Sequence, residues 1–298
     1  MADSLAGLVL AAGAGTRLHP LTRLLPKALC PLGDRALLDH ALGQFPSTPG
    51  ATGHDPPRRR VEDLAVNVHH GAEAIIEHLE ARGFESGVLE AAAAVHVSHE
   101  RQAPLGTAGA VGNLRGWLDG RDLVVLNADT WIAGPRGRAV TRLLEAWDGE
   151  RVAVLTDTPG VFGPRSSVVA SVLPWAAARS LGSDPQGLWE ALWAREVAVG
   201  RLQAVHTELV ALDCGTPARY LVANLFWARE RAPHGELDAA WIHPDAVVNG
   251  RVSASVVGAG AMVDGTVGDC VVWPGARVHS GETLQRAIRG GGRTVLVR

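Results

Sequence analysis

The chain has 298 residues, 47% of them hydrophobic and 20% charged, and a formal net charge of −3. That balance excludes disorder and collagen-like structure, gives no basic surplus for binding nucleic acid, and fits two domains of ordinary size. No apolar run reaches the roughly 18–20 residues of a membrane span, and the apolar start lacks a basic leader, so a cytoplasmic protein is expected.

In chain order, residues 5–11 read as a buried strand ending in Ala-Gly-Ala-Gly, and 37–45 as a short amphipathic helix. A strand at 64–68 and a helix at 72–82 follow, then a strand at 95–98 and a helix at 108–118. Residues 122–128 are apolar enough for a strand buried on both faces, 140–147 read as a helix and 151–156 as a strand. This alternation predicts an α/β, Rossmann-like, mainly parallel sheet with helices on both faces and ligands beyond the carboxyl ends of its strands. The Pro- and Gly-rich stretch 46–60, ending in three arginines, reads as an enlarged surface loop.

From about residue 233 the texture changes. Residues 242–278 repeat small or apolar residues every five or six positions among Gly, Asp and Asn, the period of a β-helix of hexapeptide turns. The expected organisation is an α/β domain over 1–232 and a small parallel β-helix over 233–298. Such a short stack gains stability by packing on the first domain or on another subunit, so a homo-oligomer is expected.

Three cysteines (Cys30, Cys214, Cys270) are odd in number and far apart, which fits neither a disulfide framework nor a zinc cluster. The histidines show no metal-binding spacing. Of the 28 basic residues, one is lysine, Lys27. It lies in the string LAAGAGTRLHPLTRLLPKALCPL, residues 10–32, where a strand runs into a Gly-rich loop. Backbone N–H groups of such a loop converge on one anion, and Arg17 and Lys27 flank it as cations, which together make a polyphosphate site. The string is neither a Walker loop nor a dinucleotide fingerprint, since the third glycine is missing after Gly13 and Gly15.

Two acids stand at expected strand ends, Asp129 after 122–128 and Asp213 after 209–212. Each alone would serve as a helix cap, and both are hard oxygen donors. Glu100 precedes LGTAGA at 105–110, and its carboxylate can accept from guanine N1–H and N2–H2 together, which favours guanine. Thr107 suits either that base loop or a cap on the following helix.

The 10–32 string closely resembles the signature of sugar-1-phosphate nucleotidylyltransferases, also called NDP-sugar pyrophosphorylases. In the right order, NVHHGAE from Asn67 resembles the family's second strand and helix, and LGTAGA from Leu105 its base-contacting loop. LNADT from Leu126 resembles the metal-aspartate strand end, and DCGTP from Asp213, then Tyr220 and Asn224, the second metal site. The tail resembles the left-handed β-helix that many members carry.

The resemblance implies a Mg2+-dependent attack of a sugar 1-phosphate on a nucleoside triphosphate. Nucleotide contacts are implied for Leu10, Ala11, Ala12, Gly13, Ala14, Gly15, Thr16 and Arg17, with Glu100, Leu105, Gly106 and Thr107 along the base. Arg17, Lys27 and Asp129 would be catalytic, Lys27, Gly163 and Arg165 would meet the sugar phosphate, and Asp129 and Asp213 would hold the metal. The expected substrates are GTP and mannose 1-phosphate. Many relatives also carry a Val-x-x-Glu-Lys-Pro stretch, whose lysine this chain lacks; the segment 161–175 is short, and Arg165 is the nearest substitute cation. That departure leaves a second expectation, a catalytically weak paralogue that binds a nucleotide sugar and regulates a partner.

Overall fold

A computed structural model describes residues 4–45, 60–81, 95–231 and 240–297. Most of the expected surface loop, residues 46–59, and the expected domain boundary at 232/233 lie outside the described residues. The chain divides into two compact units, Met1–Gly13 with His40–Ala211, and Ala14–Asp39 with Leu212–Arg298. The second unit thus includes 14–39 and 212–232, which the sequence assigns to the first domain, together with the tail.

The elements begin with β1 (Ser4–Leu10), the hairpin β2 (Pro31–Leu32) and β3 (Arg35–Ala36), α1 (Leu37–Leu42), β4 (Arg60–Val68) and α2 (Ala72–Ala81). Next come β5 (Val95–His99), α3 (Gly106–Asn113), α4 (Arg115–Leu118), β6 (Asp122–Asn127), β7 (Thr130–Ile132) and α5 (Arg138–Ala146). Then follow β8 (Val152–Thr156), β9 (Ala170–Leu173), α6 (Trp175–Ala178), α7 (Ala194–Ala198), β10 (Leu202–His206), β11 (Ala211–Asp213) and α8 (Pro217–Arg229).

Seven strands of the first unit form one sheet in the order β10-β8-β9-β6-β1-β4-β5. All run parallel except β9, which is antiparallel to β6 and β8. The near-continuous apolar runs of β1, β6 and β8 suit this architecture, because helices cover both faces of a parallel sheet. One face carries a core in which Ala108, Val111, Leu114 and Leu118 of the α3–α4 stretch join Ala6, Leu8 and Val125 of the strands. The expected helix over 108–118 breaks at Leu114.

Residues 181–188 pack on α3 through its small residues. A Cβ on Gly112 would stand 2.0 Å from the Gly182 carbonyl oxygen, and one on Gly109 would stand 2.5 Å from that of Asp184. The glycines of LGTAGAVGN thus permit a backbone approach that no larger residue allows. The Ala108 N–H donates to the Gln186 carbonyl and the Gln186 N–H to that of Leu105, both at 2.9 Å. Neither β10 nor the helical segment after β9 stands out in the sequence, since both lack a clean period.

The tail of the second unit is a three-sided stack of short parallel strands. Its rows pair Trp241 with Val256, Val271 and Ile288; Val247 with Met262 and Arg277; and Arg251 with Thr266 and Thr283. Most partners are 15 residues apart, as Trp241 and Val256 are. The final step takes 17, from Val271 to Ile288. Each side thus averages five residues, short of the six that hexapeptide turns would give. Ala254, Asp269 and Arg286 each follow a strand of the third row with φ of 41°, 48° and 49°. This left-handed corner costs about 1–2 kcal/mol per non-glycine residue. It is offset by the apolar stack within, including Val257, Val263, Val267, Val272, Val278 and Ile288.

Helix α8 leans on this stack. Trp227 meets Trp241 edge-on at 5.0 Å, and the Trp273 indole N–H donates to the Tyr220 hydroxyl at 3.0 Å. The Tyr220 O–H in turn donates to the Pro31 carbonyl, which fixes the 31–33 hairpin on the helix. Among the described residues no helix is long and apolar enough to cross a membrane.

Candidate active site

Parallel register brings four strand ends level in the first unit. Leu10 stands beside Asn67 and Asn127, and Asn67 beside Ser98. The loops that begin at Ala11, His69, Glu100 and Ala128 therefore leave one edge of the sheet together, the edge where open α/β sheets bind ligands. The Ala128 N–H donates to the Leu10 carbonyl at 3.0 Å, so the half-buried Asp129 starts beside the end of β1.

Buried side chains join these loops. The Ala11 N–H donates to Asn67 Oδ1 at 2.8 Å, Asn67 Nδ2 to Glu100 Oε1 at 2.7 Å, and the Leu105 N–H to Glu100 Oε2 at 2.8 Å. His69 Nδ1 lies 2.6 Å from the Glu100 carbonyl oxygen and His70 Nδ1 3.2 Å from that of Ala12. This corrects one expectation: both Glu100 carboxylate oxygens are engaged within the protein and the residue is 3% exposed, so it is not a free acceptor for guanine. Thr107 departs from its expected role as a cap. Its hydroxyl accepts the Leu188 N–H at 2.7 Å, and α3 begins without a side-chain cap.

In the second unit the Gly-rich turn lies on the lysine stem. Gly15 has a φ of 62°, and a Cβ there would stand 2.9 Å from Lys27 Cβ and 2.8 Å from Thr22 Cγ2, so this position requires glycine. Beside Lys27, burial pushes the Cys30 thiol up to about 12, with the ammonium pulling the other way. All three cysteines are buried and none is in a disulfide.

The DCGTP motif also has a local physical account. Thr216 caps α8 by accepting the Arg219 N–H at 3.3 Å, and Pro217 occupies the first turn, where no N–H is needed. A Cβ on Gly215 would stand 2.6 Å from Asp213 Oδ1 and 3.0 Å from Arg17 Nη2, so the glycine leaves room for that acid and that guanidinium. Arg219 Nη1 donates to Asp213 Oδ2 at 2.7 Å. The other oxygen, Oδ1, is buried without a hydrogen-bond partner among the described residues. A lone buried acceptor suits a cation, and hard carboxylate donors suit Mg2+. Asp213 therefore fits the expected ion. No group of three His, Cys, Asp or Glu side chains suited to a metal occurs among the described residues.

On the sugar side, Gly163 and Arg165 share a turn closed by its own bonds. The Gly163 N–H donates to Ser166 Oγ and the Ser166 N–H to the Gly163 carbonyl, both at 3.0 Å. The Ser167 N–H donates to Thr158 Oγ1 at 2.8 Å, and Phe162 anchors the turn against Trp189 and Trp193. Arg165 is exposed on it. Elsewhere in this unit a cleft of about 950 Å³, lined in part by Arg138, Arg142, Asp157 and Glu208, contains none of the expected site residues. Sequence reasoning missed the roles of Asn67 and Arg219; the signal for the first was an Asn ending the apolar run of β4.

Residues 6–157 match the nucleotidyl transferase family model. Over 243 residues the chain is 35% identical to the N-acetylmuramate alpha-1-phosphate uridylyltransferase of Caulobacter vibrioides, spanning 73% of this chain and 94% of that protein. It is 30% identical over 160 residues to the mannose-1-phosphate guanyltransferase of Saccharomyces cerevisiae, 53% of this chain and 40% of that protein, so it spans less than half of that relative. A UDP-glucose pyrophosphorylase structure from Acinetobacter baumanii shares the fold, with a TM-score of 0.55 at 17% identity over 78% of this chain and 95% of that one. With about half of its length matched by the family model and a relative aligned over nearly three quarters, the chain belongs to the nucleotidyl transferase family, among the sugar-1-phosphate nucleotidyltransferases.

Proposed function

We propose that this chain transfers a nucleotidyl group from a nucleoside triphosphate to a sugar 1-phosphate, with UTP as the preferred donor. The observation that carries the reading is the grouping of Arg17 and Asp213 about Gly215, with Lys27 packed on the Gly-rich turn. The sequence favours GTP with mannose 1-phosphate, but that preference rested on a Glu100 carboxylate free to meet guanine. With both of its oxygens engaged, support moves to the uridylyltransferase similarity, which extends over more of the chain than the guanyltransferase similarity does.

In this reaction a sugar 1-phosphate oxygen forms a bond to the α-phosphorus while the bond to the bridging α–β oxygen breaks, and pyrophosphate leaves with that electron pair. Two anions must approach, so the protein's contribution is positioning and charge compensation. Gly13–Thr16 and Arg17 hold the triphosphate and the departing pyrophosphate. Lys27, a compact charge on a stem held by Gly15, serves the α-phosphate and the incoming phosphate. Asp129 and Asp213 are the residues for Mg2+, which supplies neutralising charge at the phosphates when bound. Arg165 takes the place of the lysine that many relatives use toward the sugar phosphate. The setting is cytoplasmic.

A panel of UTP, GTP, dTTP, CTP and ATP crossed with N-acetylmuramate, mannose and glucose 1-phosphates tests the reading by pyrophosphate release. UTP is expected to give the highest kcat/KM. Absence of the second lysine favours one other reading, a nucleotide-sugar-binding regulator. Tight nucleotide-sugar binding without turnover on any pair would establish that reading in its place.

A further inference from the structure

Asn67 and Glu100 are each 3% exposed, at the edge where β1, β4 and β5 release their loops. Burying a carboxylate is costly unless hydrogen bonds replace the lost water. Glu100 has that replacement on both oxygens. Asn67 stands between the Ala11 N–H, which donates, and a Glu100 carboxylate oxygen, which accepts. Its carbonyl must face the first and its NH2 the second. An Asp here would set two carboxylates against each other, and a Leu would leave both neighbours unpaired.

We propose that Asn67 and Glu100 are a positioning pair that sets the spacing between the phosphate loop after β1 and the base-side loop before α3. Base selection then falls to main-chain groups of residues 101–107, and the Glu100 side chain acts through their placement. The proposal rests on the nucleotidyl-transfer reading. One end of the pair fixes the Ala11 N–H, where the chain leaves β1, and the other fixes the Leu105 N–H, just before α3. Loss of the pair lets both loops shift, so triphosphates suffer whatever their base. The turn that carries Arg165 is closed by separate bonds and is unaffected.

The test uses Asn67→Asp, Glu100→Gln and the double exchange. In the exchange, the carboxylate at 67 accepts from the Ala11 N–H and from the amide at 100, whose carbonyl accepts the Leu105 N–H. The number of bonds and the single negative charge are both kept. Each single variant is expected to raise KM for UTP and GTP alike by at least about tenfold, leaving that for the sugar phosphate within about twofold. The exchange is expected to bring the triphosphate values back to within about threefold of the parent. Calorimetric binding of UTP and GTP with Mg2+ should follow the same order without turnover.

A change in the UTP-to-GTP ratio above about tenfold in Glu100→Gln would overturn the proposal, as would an exchange that unfolds at the parent temperature yet restores nothing. If the single variants fail to fold, the exchange decides by the same threefold criterion. A parent that binds no triphosphate sinks the nucleotidyl-transfer reading and the pair together; an active parent without rescue sinks the pair alone.

Discussion

The proposed nucleotide side and the proposed sugar side of the first unit are held in different ways. On the nucleotide side, buried hydrogen bonds tie residues distant in sequence, Ala11 to Asn67 and Asn67 to Glu100. On the sugar side, short-range bonds close a turn on itself, Gly163 with Ser166 and Thr158 with Ser167. A long-range lock depends on the whole sheet and tolerates little change, whereas a local turn can be shortened or rewritten without disturbing the core. This contrast accounts for a chain that retains the family's nucleotide string while its sugar-side stretch departs from the pattern.

The comparison is broken most directly at the chemistry common to both sides. Asp129→Asn or Lys27→Ala is expected to lower the rate of pyrophosphate release at saturating substrates by at least about a hundredfold, the scale of losing one preorganised electrostatic group. A smaller loss, in protein with an unchanged circular dichroism spectrum, would remove that residue from the site. Next in size is a change beneath the nucleotide side: Gly112→Ala puts a methyl into the Gly182 carbonyl and should cost about 1–3 kcal/mol in urea unfolding. An unchanged midpoint would mean that α3 and residues 181–188 part easily.

The sugar side should respond more narrowly. Arg165→Ala is expected to raise KM for the sugar phosphate by about tenfold and leave that for the triphosphate unchanged, the loss of one exposed phosphate contact. An equal rise in both would show that the two sides are not independent. The smallest effect is expected within the second unit, where Trp273→Phe deletes the hydrogen bond to the Tyr220 hydroxyl and should cost about 1 kcal/mol. Activity in that variant should match the parent; a loss of turnover would connect the β-helix to catalysis.

Much of the architecture is legible from periodicity alone. Apolar runs of strand length, separated by helical spacing, specify β1, β4, β6 and β8, because burial on two faces leaves little freedom in residue type. The helices after β9 carry no such pattern, and residues 181–188 between them pack on α3 glycines whose purpose no local window reveals. The repeat tail shows its recurrence plainly, yet its 15-residue coil appears only in the strand pairing, and left-handed corners fall at Ala254 and Arg286, where the residue type gives no signal. Likewise, 14–39 belongs with the residues after 212 through contacts such as Gly33 with Asn224, far apart in the chain.

At the site, residue type by itself marked Gly15, Lys27, Asp129 and Asp213, since anion binding and hard-metal binding demand few alternatives. Whether a polar group is available is another matter. Glu100 has the chemistry of a base reader, and only the pairing of β1, β4 and β5 brings to it an amide and an N–H that occupy both oxygens. Composition and spacing decide what a side chain is able to bond; register and loop placement decide which partner reaches it first, because hydrogen bonds act over about 3 Å while their donors lie tens of residues apart.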